Sequence, residues 1–292
     1  MLGWDSELPV IVCLRNRNCC NNESRGSKND TLSTMNRWPI TRSWLVVTSK
    51  GERSFVPTNE LSKWPACGLL GAAGLGKTFE LGFLADLERA AGFDLIADRL
   101  AVLGQTSDGL ISRLDSLAIA ATTNSALYLD ALDEVMVPVR TASLIVQRWI
   151  SDKLGTARPR LRLSCRSAVW PPGVQSAIES VYGTDGCAFA VLQPLSEEDV
   201  LAVASARGVD AGAFVRALDA TGVRTLSEQP LTLEMLLKIY ETHRTLPARR
   251  RDLFRQGLEQ LACERRERAR DGTSIGVPTA QVLEAAERLA CF

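Results

Sequence analysis

Histidine is almost missing from this sequence: His243 is the single one among 292 residues. The eight cysteines (Cys13, Cys19, Cys20, Cys67, Cys165, Cys187, Cys263 and Cys291) form no C-x-x-C pair. A zinc centre needs four nitrogen or sulfur ligands at short spacings, so none is expected. Charge of one sign is also missing, since Lys+Arg and Asp+Glu are 34 each. No global field then argues for nucleic acid or an anionic membrane as partner. Arg249-Arg250-Arg251 and Arg265-Arg266-Glu267-Arg268 are interleaved with Glu259 and Glu264 and read as a solvated helix face. No apolar run approaches the ~20 residues that a bilayer span requires. Met1 to Glu7 carries two acids and no basic stretch, so no secretory signal is expected. No internal repeat is found. Cys67, Cys165 and Cys187 lie in or beside apolar runs and read as buried reduced thiols, which fits a cytoplasmic protein.

What is present centres on Gly71-Ala72-Ala73-Gly74-Leu75-Gly76-Lys77-Thr78, which meets every fixed position of G-x-x-x-x-G-K-[ST]. By average composition that pattern arises by chance in about one chain of this length per hundred. The apolar run Cys67-Gly68-Leu69-Leu70 precedes it as a strand. Leu81, Leu84 and Leu87 follow at helical spacing. A loop that wraps a polyphosphate must turn backbone N–H groups inward, which calls for glycine, and the next helix points its positive end at the same anion. In this pattern Lys77 reaches the β- and γ-phosphates, the Thr78 hydroxyl ligates Mg²⁺, and Phe79 continues the binding segment. The plain alternative is a glycine-rich turn with an incidental lysine.

Around the loop the chain divides into three. Residues 1–60 are poorly patterned. Asn16 to Thr34 reads as a linker, Cys19-Cys20 as an incidental pair, and Trp44–Thr48 with Arg53–Pro57 as a β-hairpin used for packing. Residues 61–195 alternate strand and helix. Strands are expected at 67–70, 93–97, 126–130, 160–166 and 188–192, with helices following the loop and over 109–121 and 139–154. Such alternation predicts an α/β fold, a parallel sheet flanked by helices. Residues 196–292 read as helices only, at 196–206, 210–219, 229–243, 249–270 and 278–291, the first opened by the capping sequence Ser196-Glu197-Glu198-Asp199. The last helical pattern runs to Phe292 without a cap and is expected to be cut short.

Two further segments complete a candidate site. Leu127-Tyr128-Leu129-Asp130 is an apolar strand that ends in a carboxylate, at the sheet edge where ligands bind in open α/β folds. Asp130 is read as the Mg²⁺ ligand, directly or through water, with Asp133 supporting the metal shell. Glu134 is placed to orient and deprotonate an attacking water. A helix-capping acidic turn is the plain alternative. Arg166 ends the strand that contains Ser164-Cys165, and its guanidinium is read as reaching the γ-phosphate, against the alternative of a surface salt bridge.

Together these residues resemble the NACHT branch of the STAND signal-transduction ATPases, phosphate-loop NTPases related to AAA+ proteins. Asp130-Ala131-Leu132-Asp133-Glu134 has the form of that family's acidic motif, and Ser164-Cys165-Arg166 resembles its sensor motif. Pro230, in Gln229-Pro230-Leu231-Thr232-Leu233, is similar to the proline that contacts adenine in the family. The resemblance covers about residues 65–265. It implies ATP or ADP as ligand, Mg²⁺, slow ATP hydrolysis, self-association on activation by a trigger this chain does not identify, and a cytoplasmic signalling role. Defence of a bacterium against phage is one such role. The chain departs from the family in having no recognisable effector domain, sensor repeats or winged-helix region with its histidine, and His243 is not placed to substitute.

Other classes stay open. A GTPase lacks support, because no N-K-x-D motif follows the acidic segment; an ABC-type ATPase does too, because Leu226-Ser227-Glu228-Gln229 lacks the signature glycines. A small-molecule kinase fits Asp133-Glu134 less well than water activation does. A scaffold that binds nucleotide without turnover, and an inactive piece of a larger receptor, are both compatible with every residue named.

Overall fold

The computed structural model describes residues 38, 40–47, 53–101 and 105–257. The stretch 1–36 with its cysteine pair, residues 258–270 and the helix expected over 278–291 lie outside the described residues.

By their contacts the described residues form two compact units, Thr41–Gln193 and a second made of Trp38, Ile40 and the residues from Pro194 on. The first unit is an α/β fold built on one seven-stranded mixed, mostly parallel sheet. Its strands are β1 (Ser43–Val47), β2 (Arg53–Pro57), β3 (Ala66–Leu70), β4 (Asp94–Arg99), β5 (Ser125–Asp130), β6 (Arg160–Cys165) and β7 (Cys187–Leu192). The order across the sheet is β2-β1-β7-β3-β6-β5-β4. The five strands from β7 to β4 are parallel. β1 pairs antiparallel with both β7 and β2, so the expected hairpin extends the sheet. Every residue of β3 is buried, as are the first five of β5 and the last five of β6. Strands covered on both faces read as continuous apolar runs, which is why β3 and β5 were visible in the sequence.

Helices cover both faces. α1 (Lys77–Ala90) packs on one side, where Leu81 and Leu84 join Cys67, Leu69, Ala126, Tyr128 and Ala190 in one core cluster. The other side carries α2 (Ser107–Ala120), the short α3 (Leu132–Val135), α4 (Ala142–Trp149) and α6 (Pro172–Tyr182), which pack on Ile96, Leu127, Leu129, Leu161 and Leu163. Between α4 and α6 lie a π-helical turn at Ile150–Leu154 and α5 (Gly155–Ala157). The helix expected over 139–154 therefore starts three residues later, beyond Pro138, and its last turn is π-helical. No sequence signal was read for α6, because it opens on Pro171-Pro172-Gly173, a turn-like run.

Described residues of the second unit from Glu197 on form α7 (Glu197–Ala206), α8 (Ala211–Ala220), a 3₁₀ turn at Arg224–Glu228, α9 (Pro230–His243) and a helical stretch over 250–257. The Ser196 cap is realised: its Oγ accepts from Asp199 N at 3.1 Å, and its own N–H donates to Asp199 Oδ2 at 2.9 Å. Leu195, Val203, Phe214, Leu236 and Tyr240 share one core, with Phe214 edge-on to Tyr240 at 5.2 Å between centroids. Among the described residues no helix is long and apolar enough to cross a membrane.

Candidate functional site

The carboxyl ends of β3, β6 and β5 lie side by side in the sheet, and each continues into one of the three segments singled out in the sequence. Gly71 to Gly76 links β3 to α1. Gly74 at φ 78° and Gly76 at φ 90° take left-handed backbone, which a side chain would resist. Gly76 is also the N-cap of α1, its carbonyl accepting from Phe79 N at 3.0 Å and Glu80 N at 3.1 Å. Leu75 is buried and anchors the loop, while Ala72, Ala73 and Gly74 are exposed around it. Phe79 is partly exposed at the start of α1.

Side-chain cations hold the loop carbonyls. Lys77 Nζ donates to Gly71 O at 2.8 Å and Ala72 O at 3.0 Å, and Arg42 Nη1 donates to Leu75 O at 2.9 Å. Burial lowers the Lys77 pKa; Asp133 and Asp130 oppose that shift, and Arg166 adds to it. A lysine pressed in this way has much to gain from an anion.

Asp130 is the meeting point. Thr78 Oγ1, from α1, donates to Asp130 Oδ2 at 2.9 Å. Ser164 Oγ, from β6, donates to Asp130 Oδ1 and accepts from Ala131 N at 2.9 Å. Ala131 takes a left-handed backbone, φ 64° and ψ 48°, which is uncommon for a residue with a Cβ. The Ser164 bridge fixes that bend, and with it the direction of the Asp130 carboxylate. Backbone held in a sparsely populated region persists only where its surroundings support it, as the Ser164 bond does here.

The two remaining acids are each paired with an arginine. Asp133 accepts from Arg166 Nε at 2.8 Å and from the Arg166 backbone N–H at 3.1 Å. Glu134 Oε2 accepts from Arg99 Nη2, at the end of β4, at 2.7 Å. Arg166 thus stands at the expected sheet edge and is engaged in the salt bridge that was its alternative reading. Cys165, one residue before it, is buried, and burial together with Asp133 pushes its thiol pKa up to about 12.

The residues present fit a polyphosphate with a hard cation. A hydroxyl and a carboxylate oxygen already lie at contact distance in Thr78 and Asp130. Among the described residues no cluster of three or more His, Cys, Asp or Glu could hold a metal by itself. Mg²⁺ favours such sparse protein ligation, with phosphate and water completing its shell. Pro230 stands at the first turn of α9 in the second unit and is not among the residues brought together within the first.

No protein-family model and no curated protein matches the chain. Its chemistry therefore rests on the residues themselves. Sequence reading missed Arg42 and Arg99. Arg99 ends β4 opposite Asp130 in the β4–β5 register, a placement no local pattern announces. Ser164 was quoted only as part of a motif, and its bond to Asp130 appears only with the strand order.

Proposed function

We propose that this chain is an ATP-binding, Mg²⁺-dependent ATPase module of the NACHT type, in which nucleotide state gates self-association. One observation carries the reading: the Asp130 carboxylate receives hydroxyls from the loop helix and from β6, so that three separate segments converge on one acid. In this reading the loop N–H groups and the N-terminus of α1 take up the phosphates. Lys77 has three protons, and two are on loop carbonyls that a phosphate would outcompete. Thr78 and Asp130 would hold Mg²⁺, and the ion would supply charge neutralisation for phosphoryl transfer. Glu134 orients the attacking water and takes its proton after turning from Arg99. Arg166, held beside Asp133, meets the γ-phosphate side of the site and exchanges one anion for another.

The reading is tested by Mg²⁺-dependent ATP hydrolysis and ATP affinity in the parent, Lys77→Ala and Glu134→Gln. The expected result is turnover in the parent and loss of ATP binding by tenfold or more in Lys77→Ala, on the order of one charge-assisted bond. In Glu134→Gln turnover should fall about 10²–10⁴-fold with ATP still bound. A parent that binds no ATP overturns the reading. A parent that binds ATP without turnover favours the non-hydrolysing scaffold.

A further inference from the structure

A loop that turns its N–H groups toward an anion points its carbonyls outward, and each of those needs a partner. For Leu75 the partner is Arg42, a buried residue just before β1. The same guanidinium donates from Nη2 to Gln193 O at 2.6 Å. Gln193 N in turn donates to Ser43 O at 3.0 Å, so the segments that flank β1 and follow β7 are tied twice. Their positions in the chain give this knot its interest. The chain crosses between its two compact units at Ile40–Thr41 and again at Gln193–Pro194. Arg42 lies one residue inside the first crossing and is bonded to the last residue before the second.

We propose that Arg42 is a positioning residue that couples occupancy of the loop to both chain crossings. The proposal rests on the nucleotide reading given above. A guanidinium is a planar fork whose donors keep a fixed spacing. When Leu75 shifts, Arg42 must either carry Gln193 with it or give up a hydrogen bond from a charged donor in a buried place. Phosphate supplies the shift: it draws Lys77 off the Gly71 and Ala72 carbonyls and tightens the loop around the anion. Through Nη1 and Nη2 Arg42 reaches one backbone oxygen of the loop and one beside the second crossing, so in this proposal its effect passes through the loop.

Hydrogen exchange on the full chain tests this, with MgATP as probe and peptides covering 38–45, 71–77 and 190–197. In the parent, ATP is expected to slow exchange in all three peptides together. Arg42→Gln should keep ATP affinity within about tenfold of the parent, the value of one such hydrogen bond. It should slow exchange at 71–77 only, because the neutral amide cannot span both carbonyls. Arg42→Lys, a point charge able to hold one carbonyl at a time, should fall between. A structural staple alone would change stability without separating the peptides in this way. ATP protection of 71–77 in the parent with no change at 190–197 overturns the coupling while leaving the nucleotide reading intact. Retained coupling in Arg42→Gln overturns the role of Arg42. A parent that binds no ATP overturns both. The parent measurement decides the coupling even if neither variant folds.

Discussion

An exposed ion pair and a buried hydroxyl hold the acidic turn, and they differ in how easily they let go. Glu134 and Arg99 are 41% and 66% exposed, so their pair is worth about 0–1 kcal/mol. If Glu134 serves as proposed, turning it toward a water costs little, and Arg99→Ala should change kcat by less than about fivefold, in line with that range. Ser164 is different, since it is buried and holds both the Asp130 carboxylate and the Ala131 bend. Partners that orient a metal ligand are typically worth 10–100-fold, so Ser164→Ala should lower turnover by about that factor while the protein stays folded. Steady-state kinetics on the two variants, with the thermal transition as a control, check the contrast. Equal effects, or a larger one for Arg99, would remove the ordering of roles derived from burial.

At the scale of elements, the join between α1 and the sheet depends on a buried charge. Glu88, near the end of α1, accepts from Tyr128 Oη at 2.5 Å, from Arg160 Nε at 3.0 Å and from Arg162. Glu88 and Arg162 are almost completely buried, and Arg162 Nε has no hydrogen-bond partner among the described residues. Removing one member of such a cluster leaves an uncompensated charge inside, a loss of about 3–5 kcal/mol. Glu88→Gln should then lower the transition of this unit by roughly 6–20 °C in calorimetry. A drop within about 2 °C would mean that the cluster is solvated rather than buried. None of this was legible from the strand Arg160-Leu161-Arg162-Leu163, whose alternation marks one polar face and reads as facing water. Its acid comes from a helix 74 residues away from Arg162, and no local pattern records that distance. α6 is the opposite case, because Val174, Ala177, Ile178 and Val181 are buried at helical spacing and did carry a signal. The prolines and glycine ahead of them hid it.

On the scale of the whole molecule, strand order decides what the motifs become. The alternation of strands and helices announced a parallel sheet, and the five parallel strands fall within about two residues of their expected bounds. What the sequence could not announce is that β6 lies between β3 and β5. That order seats Ser164 between the glycine loop and Asp130, so that a strand remote in sequence completes the contact between the other two segments. Long-range pairing is set by packing and by the twist of the whole sheet, so motifs were legible while their neighbours were not. The convergence also fixes how a ligand should act on stability. MgATP would bind only where loop, acid and bridge are assembled, that is, in the native first unit. At free ATP about 100-fold above Kd, binding of this kind adds about 2.7 kcal/mol, which raises the transition of a unit of this size by roughly 5–11 °C. A chain with two compact units need not melt in one step, so the transition that moves identifies the unit that binds. Calorimetry of the full chain with and without MgATP should show the shift, and Lys77→Ala should lose it. An equal shift in Lys77→Ala would place ATP somewhere other than the glycine loop, and no shift at saturating MgATP would remove nucleotide from this sheet edge altogether.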